Sequence, residues 1–208
     1  MYEISDLVYK DLLNIPELIF KKHTSTAITG ASGAGKTTLL KLLDGLFRIN
    51  SGTILYDGTN ITEIKNLRQR VTMIAQNPVV YPDTLYDNFK KTSYFCDKPL
   101  ANDEVLTSFL KLCALDLPLD TDTKMLSGGE KSRLSIARAL SLESETYLLD
   151  EPTSALDAQT MQIVMQNLLH FTKEHHMTTL IVTHSAQTAE LCSHEVVIKK
   201  GGLPQWVR

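Results

Sequence analysis

Gly30-Ala-Ser-Gly-Ala-Gly-Lys-Thr37 constrains this chain more than any other segment. It fits G-x-x-x-x-G-K-[ST] in full. It stands between the short, β-branched Thr26-Ala-Ile-Thr29 and an apolar-periodic run holding Leu39, Leu40, Leu42 and Leu43. That order predicts strand, loop, helix. Small side chains let a backbone close around an anion with its N–H groups turned inward, and the helix N-terminus that follows adds partial positive charge. Phosphate is the ligand such a loop fits. Gly30, Ala31, Ser32, Gly33, Ala34, Gly35 and Thr38 belong to the cradle, Lys36 is placed to reach the terminal phosphates of a nucleotide, and the Thr37 hydroxyl is a ligand for Mg²⁺.

Two more apolar strands stop at polar residues: Thr146-Tyr-Leu-Leu149 before Asp150, and Thr178-Thr-Leu-Ile-Val182 shortly before His184. Between them Ile163, Val164, Asn167 and Leu168 fit a helical period, so the pattern is βαβ and the sheet mostly parallel. Such sheets bind ligands at the carboxyl ends of their strands. Tyr2 to Tyr9, Gly52 to Tyr56 and Arg70 to Ile74 read instead as short alternating strands with the turn signal Asp57-Gly58, which predicts a small antiparallel β patch. From Asn77 to about Met125 the pattern turns helical, with Ala101 to Leu115 amphipathic and Asn102-Asp103 supplying cap chemistry. The expected fold is α/β: a parallel-sheet core with a small antiparallel β patch and an inserted helical subdomain. It forms one domain over residues 1–208, with 1–76 and 146–208 as the nucleotide-binding core and 77–145 as the helical insertion.

Composition removes several classes of function. A net charge of −3 and a pI near 6.1, with Lys and Arg scattered, give no basic footprint for nucleic acid. Cys96, Cys113 and Cys192 have neither zinc-site nor disulfide spacing and read as small buried hydrophobes. No run reaches the length of a membrane span, and Met1-Tyr-Glu-Ile lacks the pattern of a leader, so the expected location is the cytoplasm. His175-His176 reads as a solvated turn. Val79 to Asn88, with several apolar and aromatic side chains, reads as a docking groove.

Asp150 and Glu151 close the strand that starts at Thr146. Beside a phosphate loop, Asp150 is the natural partner of Mg²⁺, and Glu151, just outside the strand, can orient or deprotonate an attacking water. Leu126-Ser-Gly-Gly-Glu130 precedes an apolar-periodic run from Lys131 to Leu140 and forms another anion-ready helix start, with Ser127, Gly128 and Gly129 offering a hydroxyl and open N–H groups. One phosphate loop has no need of a second. The pair makes physical sense if each completes a site on another copy.

In this order the motifs resemble those of the ABC ATPase family along essentially the whole chain. Gly30 to Thr37 resembles Walker A, Gln76 the Q-loop glutamine, Leu126 to Glu130 the signature, and Tyr147 to Glu151 Walker B. Ser154 to Asp157 resembles the D-loop, and His184 the switch histidine. The resemblance implies a P-loop, RecA-like core and a head-to-tail homodimer holding two ATP molecules, each between one protomer's Walker motifs and the other's signature. Glu151 would be the catalytic base, His184 the γ-phosphate contact and Gln76 a ligand of Mg²⁺ and water, while Ser127, Gly128, Gly129 and Glu130 would bind the partner's nucleotide. A membrane permease would be the second partner, holding the ATPase at the inner face of the membrane. The signature ends in Glu130 where glutamine is commoner. Tyr9 is the candidate for stacking on adenine, with a strand tyrosine packed on the core as the alternative. A non-transport ATPase acting on DNA or the ribosome is the competing function. Asp83 to Asn88 and Leu126 to Lys131 are similar to the compact ATPase subunits of iron exporters.

Overall fold

The computed structural model describes residues 1–77 and 79–208. β1 (Tyr2–Tyr9) and β2 (Leu13–Phe20) form an antiparallel hairpin through the turn Lys10 to Leu12. β3 (Ser25–Thr29) leads into the phosphate loop and α1 (Lys36–Leu43). β4 (Ser51–Tyr56) pairs with β1, and β5 (Thr59–Asn60) with β4, giving an antiparallel sheet of order β2-β1-β4-β5. After α2 (Leu67–Arg70) the chain enters β6 (Val71–Ile74), then three helices: α3 (Leu85–Phe95), α4 (Asp103–Leu112) and α5 (Gly128–Leu140). The core resumes with β7 (Thr146–Asp150), α6 (Ala158–Glu174), β8 (Thr178–Val182), α7 (Ala186–Leu191), β9 (His194–Val197) and β10 (Gln205–Trp206).

The second sheet runs β10-β9-β3-β8-β7-β6 and is parallel throughout except at β10. β7 and β8 are buried at every residue, as unbroken apolar strands covered on both faces should be. Their side chains alternate between two cores. Leu148 and Leu180 face Leu39, Leu40 and Leu43 of α1 and the apolar face of the antiparallel sheet. Tyr147, Leu149 and Ile181 face Leu134 and Ile136 of α5 and Val164 and Leu168 of α6.

Two readings of the sequence need correction. Arg70 to Ile74 does not join the antiparallel patch: β6 lies parallel to β7 in the core sheet, with Val71 opposite Thr146. So short a strand alternates no differently in either sheet, and only its partner decides. The antiparallel patch gains β2 in its place, although the sequence pattern assigns no element there. Pro16 breaks that pattern, and β2 accommodates it as the edge strand. Cys113 and Cys192 are buried as expected, whereas Cys96 is only half-buried.

Candidate functional site

The parallel strands all point their carboxyl ends to one edge. Gly30 follows β3, Gln76 follows β6, Asp150 ends β7, and Thr183-His184 follows β8. Four separate segments thereby meet around the N-terminus of α1.

At Gly30 the loop leaves the sheet with φ of 136°, and a Cβ there would lie 2.2 Å from the Ile198 carbonyl oxygen. Glycine is required by both conformation and space. Gly35 precedes α1 with φ of 97° and gives no side-chain cap, so the first N–H groups of the helix stay available to an anion. The Lys36 ammonium, 6% exposed, donates to the carbonyls of Gly30 and Ala31 at 2.8 and 2.9 Å, spanning the loop. Burial lowers its pKa below the ordinary lysine value, opposed by the carboxylates of Glu151 and Asp150.

The Thr37 hydroxyl donates to Asp150 Oδ1 at 3.0 Å. Asp150 is 3% exposed, and burial raises its pKa, opposed by the Thr37 hydrogen bond. The two side chains present hard oxygen donors side by side. Among the described residues no cluster of three or more His, Cys, Asp or Glu side chains could hold a metal by itself. That donor set fits Mg²⁺, which takes one or two protein oxygens and completes its shell with phosphate and water.

Glu151 turns sharply out of β7 with φ of 47°, held there as its N–H donates to the Val182 carbonyl at 3.0 Å and its carbonyl accepts from the Ser154 N–H at 3.1 Å. A non-glycine residue in this region carries strain that its surroundings must hold in place. The result is a carboxylate between two side chains: Oε1 lies 3.2 Å from His184 Nε2, and Oε2 accepts from Gln76 Nε2 at 3.4 Å. Three candidate residues from three strand ends thus converge.

Ser127 to Glu130 starts α5, an element separate from the phosphate loop. Among the described residues no hydrogen bond joins it to the phosphate loop, and Ser127 and Gly128 are exposed. A Cβ on Gly129 would lie 3.3 Å from the Ala155 carbonyl oxygen, so this glycine lets the segment after Glu151 approach the helix. One face of the Tyr9 ring stacks on Phe47, with centroids 5.9 Å apart and planes 5° from parallel. What this hairpin presses against the phosphate loop is aliphatic, with Leu12 and Leu13 against Gly35.

Sequence reading misses Arg138. Its guanidinium, 8% exposed, donates to Asn88 Oδ1 at 2.9 Å and the Val79 carbonyl at 2.6 Å and lies over the Tyr81 ring. It ties the helix that begins at Ser127 to the segment just beyond Gln76. An arginine inside the apolar stretch Ile136 to Leu140 was the available signal. The groove expected along Val79 to Asn88 is partly drawn inward by this network, and Leu85 and Asn88 are fully buried. A groove of about 830 Å³ opens nearby between the core and the helical insertion, lined by Asp44, Phe47, Ile64, Arg68 and Phe95 among others.

A profile of the ABC transporter family matches residues 13–154. The chain belongs to this family. Among curated relatives of this ABC protein is the sulfate/thiosulfate import ATP-binding protein of Mannheimia succiniciproducens, 32% identical over 191 residues. That match takes in 89% of the chain and 53% of the relative. A putative multidrug export ATP-binding/permease protein of Staphylococcus aureus is 34% identical over 197 residues, 88% of the chain and 33% of the relative. The chain thus spans about half the length of the first and a third of the second. Among solved structures, a dimeric ATP-binding cassette in a post-hydrolysis state with ADP and Pi superposes with a TM-score of 0.87 at 25% identity, covering 100% of this chain and 99% of that one. A bacterial Atm1-family ABC exporter with ATP bound gives 0.86 at 28% identity, covering 96% of this chain and 37% of that one.

Proposed function

We propose that this ABC protein is the ATP-hydrolysing motor of a membrane transporter, acting as a homodimer that encloses two nucleotides and drives a separate permease at the cytoplasmic face of the membrane. The observation that carries this reading is the Glu151 carboxylate, set between His184 and Gln76 at the strand end next to Lys36, Thr37 and Asp150. Phosphoryl transfer to water asks little covalent chemistry of a protein and much positioning. Lys36 holds the terminal phosphates, Glu151 aligns and deprotonates the water, and His184 and Gln76 fix the carboxylate in place. Thr37 and Asp150 would hold Mg²⁺, which would supply neutralisation of phosphate charge.

Homodimer closure is supported by the second anion-ready helix start at Ser127 to Gly129, which is exposed at Ser127 and Gly128 and makes no hydrogen bond to its own phosphate loop among the described residues, and by the dimeric cassette that this chain resembles over its full length. A permease contact is supported by transporter-named relatives and by the groove at Phe47 and Phe95, which touches both the core and the insertion and carries exposed aromatic surface. No described helix is long and apolar enough to cross a membrane. Import and export relatives match at similar identity, so the shared cassette carries no mark of cargo or direction.

Glu151→Gln tests the reading. Turnover should fall by about two orders of magnitude or more, the scale lost with a positioned general base, while ATP still binds. Hydrolysis at the parent rate would remove Glu151 from the mechanism.

A further inference from the structure

The start of α5 is already engaged, and by the chain's own carboxylate. The Ser127 hydroxyl donates to Glu130 Oε2 at 2.7 Å, and the Ser127 N–H donates to the same oxygen at 2.8 Å. The Glu130 N–H returns to Ser127 Oγ at 3.3 Å, completing a reciprocal capping box. The hydrogen bond from Ser127 holds the Glu130 carboxyl below the usual carboxylate range, so it stays ionised at neutral pH.

This has a cost when the segment meets a phosphate. A hydroxyl has one hydrogen to give, and the oxygens of an ionised phosphate only accept. Ser127 can therefore satisfy Glu130 or the phosphate, not both. Turning the hydroxyl to the phosphate strips Glu130 of one donor. It also leaves the carboxylate within about 5 Å of the phosphate oxygens, the reach of two successive hydrogen bonds. Like charges at that distance repel strongly once water is excluded. Arg133 stands one helical turn along, lowers the pKa of Glu130 and offsets part of its charge, while one of its guanidinium nitrogens donates to the Ala114 carbonyl.

We infer that Glu130 is a built-in opponent of closure: it occupies the Ser127 hydroxyl in the open protomer and repels the partner's nucleotide phosphate in the closed dimer, setting the closed state's lifetime short. This rests on the reading of Ser127 to Gly129 as the surface that meets the nucleotide of a second copy. It gives Glu130 a role opposite to that of a nucleotide ligand.

Glu130→Gln is a clean probe. The amide oxygen accepts the same two hydrogen bonds, so the capping box and helix start survive, while the charge is gone. Both proteins should carry Glu151→Gln so that ATP is bound but not consumed. The monomer–dimer equilibrium is then measured by sedimentation across protein concentrations at saturating ATP and Mg²⁺. The expected result is a dimer dissociation constant at least tenfold lower with Glu130→Gln. Glu130→Ala should also tighten the dimer, at a lower Tm because the cap is lost. Equal dimer stability in the two proteins, or a weaker dimer with glutamine, would overturn this role for Glu130 and leave the nucleotide-sandwiching reading standing. If neither protein dimerises with ATP, the sandwich reading itself is overturned and this inference with it.

Discussion

Asp44 shows how a single residue can work against the fold that holds it. It caps the end of α1 at the wall of the large groove, where burial raises its pKa to about 7, with Arg68 only partly opposing. The folded chain therefore keeps this proton up to about pH 7, while the unfolded chain gives it up near the ordinary carboxylate value of 3.8. Between these limits the folded form binds more protons, so the contribution of Asp44 to stability falls as pH rises from 4 to beyond 7. Asp44→Asn should stabilise the protein at pH 8 by roughly 2 kcal/mol, allowing for its partial contact with water, and by little at pH 4. Urea midpoints of the two proteins at both pH values check this. A variant no more stable than the parent at pH 8 would show that the carboxylate is well solvated or has a cation partner.

At the scale of elements, legibility followed the range of the forces involved. The phosphate loop, β7, β8 and α6 stood out in the sequence because their signals are local: glycine spacing, unbroken apolar runs, helical period. The sequence pattern puts β6 in the wrong sheet and leaves β2 unassigned, since pairing depends on residues far along the chain. Of the candidate site, the residues at strand ends were readable by motif. Their mutual geometry was not: nothing local says that Gln76 and His184 meet at Glu151, or that Tyr9 turns to Phe47. Arg138 belongs to this hidden class. Burial lowers the pKa of its guanidinium to about 10; among the described residues no carboxylate pairs with it, and it is held by neutral oxygens and an aromatic ring. Its value lies in the planar fork that reaches Asn88 and Val79 together, a geometry lysine lacks. Arg138→Lys should cost about 1–3 kcal/mol, one charge-assisted hydrogen bond, and lower Tm accordingly. An unchanged Tm would mean that the α5-to-Gln76 tie contributes nothing to stability.

For the molecule as a whole, the decisive consequence of the proposed dimer is that its two candidate phosphate-binding segments would serve different nucleotides. Lys36 is buried and spans its own phosphate loop, whereas Ser127 is exposed at the start of α5. In a head-to-tail pair with twofold symmetry, each composite site takes Lys36 from one copy and Ser127 from the other. Two defective proteins should then repair each other. Lys36→Ala removes the phosphate contact but leaves the exposed helix start intact. Ser127→Arg blocks that helix start at an exposed position and leaves the phosphate loop intact. Each alone should be nearly inactive, since every site in its homodimer is damaged. Mixed in equal amounts they form heterodimers in which one site carries both lesions and the other carries neither. If the sites act independently and pairing is random, half the dimers hold one sound site, so about a quarter of the parent ATPase rate should return. A protomer that hydrolyses ATP alone predicts no gain on mixing, because each chain keeps its own lesion. Rates that also rise more steeply than linearly with protein concentration in the dilute range would identify association as the step that completes the site.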